Sequence, residues 1–192
     1  MIALAAGAGT RLRPLTLLRP KPLCPVGDRP LLDWALEALR GATSQVAVNV
    51  HHGRELIAEH LGSSPDPVHV SPEEDQALGT AGAVGNLRGW LDGRGALVVN
   101  ADTWHRGDLC RFVEGWDGER VRLLTPTPGP FGPGSAVVAS LLPWSVARRL
   151  EAVPSGLWET VWHGELAAGR LETLHHDGTV IDCGTPADYL RA

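Results

Sequence analysis

Residues 2–6, Ile-Ala-Leu-Ala-Ala, form an unbroken apolar run of strand length that ends at Gly7-Ala8-Gly9. A short run of this kind bounded by glycine reads as a buried strand. In 30–41 the apolar positions recur at helical spacing, with a proline in the first turn and a terminal glycine, which predicts a helix. Residues 45–50 alternate and are rich in valine, and 54–61 return to helical spacing, so a second strand and a second helix follow. The pattern next predicts a short strand at 68–70, a helix opening on the small residues 79–83 and running to Trp90, and an apolar strand at 96–99. Beyond these it predicts a helix through Trp116 with Asp108 as its cap, a strand at 135–140, and helices at 144–152 and 157–168. The stretch 125–134, Thr-Pro-Thr-Pro-Gly-Pro-Phe-Gly-Pro-Gly, reads as a stiff loop. A turn and a strand then precede Gly184-Thr185-Pro186, where proline opens the last helix. Strand and helix alternate from the start, which predicts an α/β sheet, and no repeat, linker or low-complexity tract divides 1–192.

Composition narrows this picture. A chain of 192 residues with 43% hydrophobic content fits one soluble domain with a substantial core. A net charge of −5 gives no basic footprint for nucleic acid or an anionic membrane, so neither is expected as a partner. Cys24, Cys110 and Cys183 lack metal-type spacing and read as reduced thiols, which points to the cytoplasm. The apolar start is too short for a secretory leader, and no run has the length of a membrane span. Lys21 is the only lysine; every other basic side chain apart from histidine is arginine.

The candidate chemistry begins where the first strand ends. Small residues at Gly7-Ala8-Gly9-Thr10 let backbone N–H groups approach an anion, and Arg11 and Lys21 add cations on a segment stiffened by Pro14, Pro20 and Pro22. The dinucleotide-binding fingerprint fails, because Leu12 stands at its third glycine, and the phosphate loop that ends in Gly-Lys-Ser/Thr is absent. Asp102 ends the strand at 96–99, the edge at which open α/β sheets bind ligands; it reads either as a metal ligand or as a helix cap. His51 and His52 follow a strand in the same way and read as either exposed or ligand-facing.

The string Leu-Ala-Ala-Gly-Ala-Gly-Thr-Arg-Leu-Arg-Pro-Leu-Thr, followed by Pro-Lys-Pro-Leu, resembles the signature of the sugar-phosphate nucleotidylyltransferases. Leu78-Gly79-Thr80-Ala81-Gly82 resembles the stretch that borders the nucleobase in that family, although a tight helix–sheet contact would also call for its small residues. Asp182-Cys183-Gly184-Thr185-Pro186 resembles the family's Asp-x-Gly-Thr-Pro motif, and Ala101 stands where relatives usually have glycine before the aspartate. The resemblance implies a single-domain Rossmann-like three-layer sandwich with a mostly parallel mixed sheet. It also implies transfer of a nucleoside monophosphate from a nucleoside triphosphate to a sugar 1-phosphate, with release of pyrophosphate. By the same likeness Asp102 and Asp182 would hold Mg²⁺, Arg11 and Lys21 would be catalytic, and Leu4, Ala6, Gly7, Gly9, Thr10, Arg11, Glu74, Gly79 and Thr80 would meet the nucleotide. Glu159 resembles an acid that some relatives use on sugar hydroxyls, or is an exposed helix carboxylate.

From 119 to 134 the resemblance thins, because relatives carry an extra strand region here with a lysine near the sugar phosphate. Phosphocholine cytidylyltransfer and a non-catalytic nucleotide-binding regulatory role are the alternatives within reach of the same motifs. For the base, 48–52 and 102–104 look like the uridylyltransferases acting on N-acetylmuramate 1-phosphate, whereas 79–82 looks like the mannose-1-phosphate guanylyltransferases. Glu74, five residues before Gly79, would accept hydrogen bonds from the guanine edge if it faces the base, which favours GTP; otherwise it is one exposed acid in the run 73–75.

Overall fold

The structure is a computed structural model and describes all residues except 39, 40, 107 and 108. The expected cap Asp108 therefore lies outside the described residues, as do positions 39 and 40 of the helix predicted at 30–41; that helix is observed over Leu31–Glu37, with Ala38 as its C-cap. In chain order the strands are β1 (Ile2–Leu4), β2 (Pro25–Val26), β3 (Arg29–Pro30), β4 (Val46–Val50), β5 (Val68–Pro72) and β6 (Ala96–Asn100). They continue as β7 (Thr103–His105), β8 (Val121–Thr125), β9 (Ala139–Leu142), β10 (Leu171–His175) and β11 (Val180–Asp182). Seven of them form one sheet in the order β10-β8-β9-β6-β1-β4-β5. β6, β1, β4 and β5 pair in parallel, β9 runs against both β6 and β8, and β10 rejoins β8 in parallel. This is the mostly parallel mixed sheet that the family resemblance implies.

Successive residues of a strand point to opposite faces, and here both faces are buried. Ala3, Val48, Val50, Leu97 and Val99 pack on one side with Leu32 and Ala35 of α1 (Leu31–Glu37) and Ile57 and Leu61 of α2 (Arg54–Gly62). Ile2, Ala47, Ala96, Val98 and Leu123 pack on the other with Ala81 and Val84 of α3 (Gly79–Asn86) and Leu91 of α4 (Arg88–Leu91). Two cores on one sheet make the three layers. A third, smaller core joins Leu12, Cys24, Val26 and Leu31 to Ile181 and Cys183, so the segment after the first strand rests on the end of the chain.

Several predicted elements are corrected. The helix expected from 79 to Trp90 is two helices that meet at Leu87, and the one expected through Trp116 covers only Cys110–Val113. The strand expected at 135–140 is β9, displaced toward the C-terminus because its ladder with β6 pairs Val99 with Ala139 and Ala96 with Leu142. β8 and β10 are additional strands. Arg122 hid β8 by breaking its apolar run, yet it is buried: its Nε donates to Glu172 at 2.6 Å and its Nη1 to the carbonyls of Phe112 and Glu114. The helix at 157–168 is a π-helical turn, Trp158–Trp162, continued by an α-helix at His163–Ala167.

The helix expected at 144–152 stops at Ala147, and residues 151–157 then run across α3. Gly79, Gly82 and Gly85 lie three apart, on one face of that helix. A Cβ on Gly82 would stand 2.2 Å from the Val153 carbonyl oxygen, and one on Gly85 would stand 2.3 Å from that of Glu151. The crossing is pinned by Ser155 N donating to Leu78 O (2.9 Å), Ala81 N donating to Ser155 O (3.0 Å) and Leu157 N donating to Thr80 Oγ1 (2.8 Å). Protein backbone therefore occupies the space that these glycines leave. Gly82→Ala should destabilise the fold by about 3 kcal/mol or more, because backbone cannot move aside as a side chain can. Gly89→Ala, on α4 with nothing within 4 Å, should be neutral or stabilising. Urea midpoints of the two variants measure the contrast, and equal midpoints would contradict this packing.

Candidate active site

The cleft forms where β1, β6 and the short β7–β11 ribbon end together. β1 runs into Ala5, Ala6 and Gly7, and a Cβ on Gly7 would meet nothing within 4 Å, so this glycine leaves side-chain-free room at the cleft. Gly9 has a different reason to be glycine. Its φ is +60°, and a Cβ would lie 2.9 Å from Thr16 Cγ2 and 3.0 Å from Lys21 Cβ. Its carbonyl accepts from Leu12 N at 3.0 Å and from Thr16 Oγ1 at 2.9 Å, which closes the turn that carries Thr10 and Arg11.

Lys21 heads a short 3₁₀ turn between Pro20 and Pro22 and is only 5% exposed. Its Nζ donates to Asp102 Oδ2 at 2.7 Å and to Asp182 Oδ1 at 3.5 Å. Asp102 follows β6, and Ala101 N donates to Leu4 O at 3.0 Å, which fixes that exit beside β1. Asp182 ends β11, whose antiparallel register with β7 sets Asp182 opposite Thr103 and so brings it beside Asp102. Arg11 Nη2 lies 3.9 Å from Asp182 Oδ2, and Gly184 makes the approach possible, since a Cβ there would stand 2.8 Å from that guanidinium. The Gly184-Thr185-Pro186 sequence also starts the last helix, Pro186–Arg191, with Thr185 Oγ1 accepting from Asp188 N.

Both carboxylates keep open acceptor positions, their side chains being 39% and 62% exposed. Among the described residues no group of three or more His, Cys, Asp or Glu side chains is placed to hold an ion. Two carboxylates facing an open cleft fit Mg²⁺, which takes its remaining ligands from water and phosphate oxygens. Burial pushes the Cys183 thiol up to about 11 and raises that of Cys24, so neither adjoining sulfur brings a thiolate to the site.

β7 also carries His105, buried edge-on against His176, with no partner for its Nδ1 among the described residues. Burial, with a smaller contribution from His176, lowers its pKa from 6.5 to about 4. The unfolded chain therefore binds the proton first, so stability should fall as pH drops from about 6.5 to about 4 and level off below. That loss amounts to about 3 kcal/mol. His105→Phe should flatten this part of a Tm-against-pH profile, and an unchanged slope would assign the drop to other groups.

Of the residues singled out by sequence, Leu4, Gly7, Gly9, Thr10, Arg11, Lys21 and Asp102 line the cleft, and Asp182 reaches it through Lys21 and Arg11. The others are placed differently. Ala6 is buried and does not line the cleft, Gly79 and Thr80 are engaged by residues 155–157, and Glu159 is exposed on the π-helical turn. Glu74 is 66% exposed in an ion pair with Arg54 and does not line the cleft. The buried acid is its neighbour Glu73, bonded to Asn49. Neither Asn49 nor Glu73 is marked as a site residue by motif, although an asparagine inside the apolar strand Val-Ala-Val-Asn-Val is a visible signal.

A family model described as nucleotidyl transferase matches residues 1–122. Among curated proteins, the chain is 27% identical to the probable mannose-1-phosphate guanylyltransferase 3 of Oryza sativa subsp. japonica over 224 residues, covering 98% of this chain and 62% of the relative. It is 39% identical to the N-acetylmuramate alpha-1-phosphate uridylyltransferase of Caulobacter vibrioides over 131 residues, covering 62% of this chain and 54% of that protein. The chain thus spans about 62% of the length of the guanylyltransferase relative. Among solved structures, a putative glucose-1-phosphate thymidylyltransferase from Bacillus anthracis superposes with a TM-score of 0.76 at 20% identity, covering 99% of this chain and 92% of that one.

Proposed function

The chain belongs to the nucleotidyl transferase family, and from that premise we propose that it moves a nucleoside monophosphate from a nucleoside triphosphate onto a sugar 1-phosphate and releases pyrophosphate. Residues 1–192 act as one catalytic domain in this reading. The observation that carries it is Lys21 Nζ set between Asp102 and Asp182, with Arg11 beside Asp182, at a cleft floored by Gly7 and Gly9.

Attack of a sugar-phosphate oxygen on the α-phosphorus brings two anions together, and like charges about 4 Å apart repel by about 1–4 kcal/mol per unit pair between bulk water and a protein surface. The cleft supplies the opposing charge. Arg11 and the amides of Gly9 and Thr10 face the departing pyrophosphate, and Lys21 is a point charge for the reacting phosphates. Asp102 and Asp182 would hold Mg²⁺, which when bound neutralises phosphate charge and orients both substrates. No side chain need form a covalent intermediate, since phosphoryl transfer is served by positioning and electrostatics.

GTP with mannose 1-phosphate is the leading substrate pair, because the guanylyltransferase relative matches across 98% of the chain. UTP with N-acetylmuramate 1-phosphate is second, on the higher identity of the uridylyltransferase over a shorter stretch. Pyrophosphate release across a matrix of triphosphates and sugar 1-phosphates, with Mg²⁺ present, tests the proposal. Turnover with a sugar 1-phosphate is the expected result, and a UTP preference would change the pair but keep the reaction class. Triphosphate binding by calorimetry without turnover on any acceptor would make the chain a nucleotide-binding domain instead.

A further inference from the structure

A chain of buried hydrogen bonds crosses the sheet edge beside the cleft. Ala5 N, at the root of the glycine loop, donates to Asn49 Oδ1 at 2.8 Å; Asn49 Nδ2 donates to Glu73 Oε1 at 2.8 Å; and Leu78 N donates to Glu73 Oε2 at 2.7 Å. Asn49 and Glu73 are each 2% exposed, and Glu73 has no ion-pair partner among the described residues. A second bridge runs alongside: His52 Nδ1 bonds the Ala6 carbonyl at 3.1 Å, His51 Nδ1 bonds the Glu73 carbonyl at 2.6 Å, and the two rings meet edge-on. Both bridges join the exit of β1 to the exit of β5 across β4, along the carboxyl edge where open α/β sheets bind their ligands.

A buried carboxylate without a cation is costly, and an apolar contact would join two loops more cheaply. The arrangement has a property that apolar contact lacks. Both ends of this bonded series are backbone N–H donors that cannot change direction, so between them a pair drawn from amides and ionised carboxylates must be one of each. Ala5 leads directly into Gly7, Gly9 and Thr10, so the same bonds set where the loop amides point.

We propose that Asn49 and Glu73 are positioning residues for the nucleotide, acting through the loop that starts at Ala5. The inference rests on the nucleotide reading of the cleft. Its test uses the amide–carboxylate rule. Glu73→Gln sets amide hydrogens against another donor, at Asn49 Nδ2, Leu78 N or Ala5 N, however the two amides turn, and Asn49→Asp sets two buried carboxylates together. The double variant Asn49→Asp/Glu73→Gln exchanges the two roles, with Ala5 N and Leu78 N both still donating to oxygen and almost no change of shape.

Calorimetric Kd values for GTP and UTP with Mg²⁺ and no acceptor should rise about tenfold or more in each single variant, the effect of a mismatched buried polar group. In the double variant they should return to within about threefold of the parent, because the pairing is remade. The affinity of Asn49→Asp should recover as pH is lowered, since one proton shared by the two carboxylates rebuilds the missing donor, whereas Glu73→Gln should show no such recovery. Should a single variant fail to fold, His52→Ala is measured in its place; it cuts the second bridge from an exposed position, and a weakened Kd at parental Tm is expected. Lowered Tm in the single variants with parental Kd would make the bonds merely structural and overturn the inference, as would a double variant no better than the single ones. A parent that binds neither triphosphate overturns the nucleotide reading and this inference with it.

Discussion

Replacing Asp182 with asparagine is expected to lower kcat by about a hundred- to a thousandfold, the scale on which one preorganised electrostatic group contributes to turnover. The substitution keeps the shape and one acceptor oxygen but removes the negative charge. In the structure that charge faces Lys21 Nζ on one side and Arg11 on the other, and the side chain is 62% exposed. Little folding energy is at stake there, because exposed ion pairs contribute about 0–1 kcal/mol. Asp102→Asn should act in the same direction and touch the fold a little more, since Asp102 is the less exposed carboxylate and makes the 2.7 Å bond to Lys21. Pyrophosphate release at saturating Mg²⁺, read beside the Tm of each variant, measures both effects. Higher metal concentration should restore neither fully, because the lost charge also places Lys21. Parent-like turnover of either variant would take that residue out of the reaction.

These aspartates also mark how far the sequence was legible. Asp102 could be read locally, as a carboxylate closing an apolar strand. Asp182 could not. The strand that it ends is legible, but it reaches the cleft by pairing with β7, whose three residues carry no periodicity to read, so only the likeness of its Asp-x-Gly-Thr-Pro motif marks it. The glycines divide in the same manner. Gly7 and Gly9 were both read as room for an anion, yet one leaves open space and the other is required by a positive φ and by Thr16. Gly79, Gly82 and Gly85 make room for backbone from about seventy residues further along, a long-range contact that no local window contains. Glu73 and Glu74 are indistinguishable as neighbours in an acidic run; burial separates them, and burial is set by the bonds that Asn49 and Leu78 supply.

Lys21→Ala should reduce turnover at least as far as the aspartate variants, because it removes the one ammonium between two carboxylates that then face each other across the cleft. On sequence alone a lysine between two prolines looks poorly placed for packing, but Lys21 is 5% exposed and its stem is part of the wall behind Gly9. Truncation therefore also removes packed methylenes, worth about 0.8 kcal/mol each, so some loss of Tm is expected beside the larger loss of kcat. Lys21→Arg should recover little. Its positive charge is correct, but a planar guanidinium is bulkier than an ammonium, and the slot is bounded by Gly9 and by backbone held at Pro20 and Pro22. The slot left by Lys21→Ala provides a direct test of the charge. Ethylammonium can enter it and restore both the cation and part of the stem, whereas tetramethylammonium has no N–H to donate to Asp102 and is too wide. Turnover of Lys21→Ala should rise with added ethylamine at constant pH and ionic strength and stay flat with the tetramethyl salt. Equal responses to the two ions would mean that Lys21 acts only through general screening, and parental turnover without either would remove it from the chemistry.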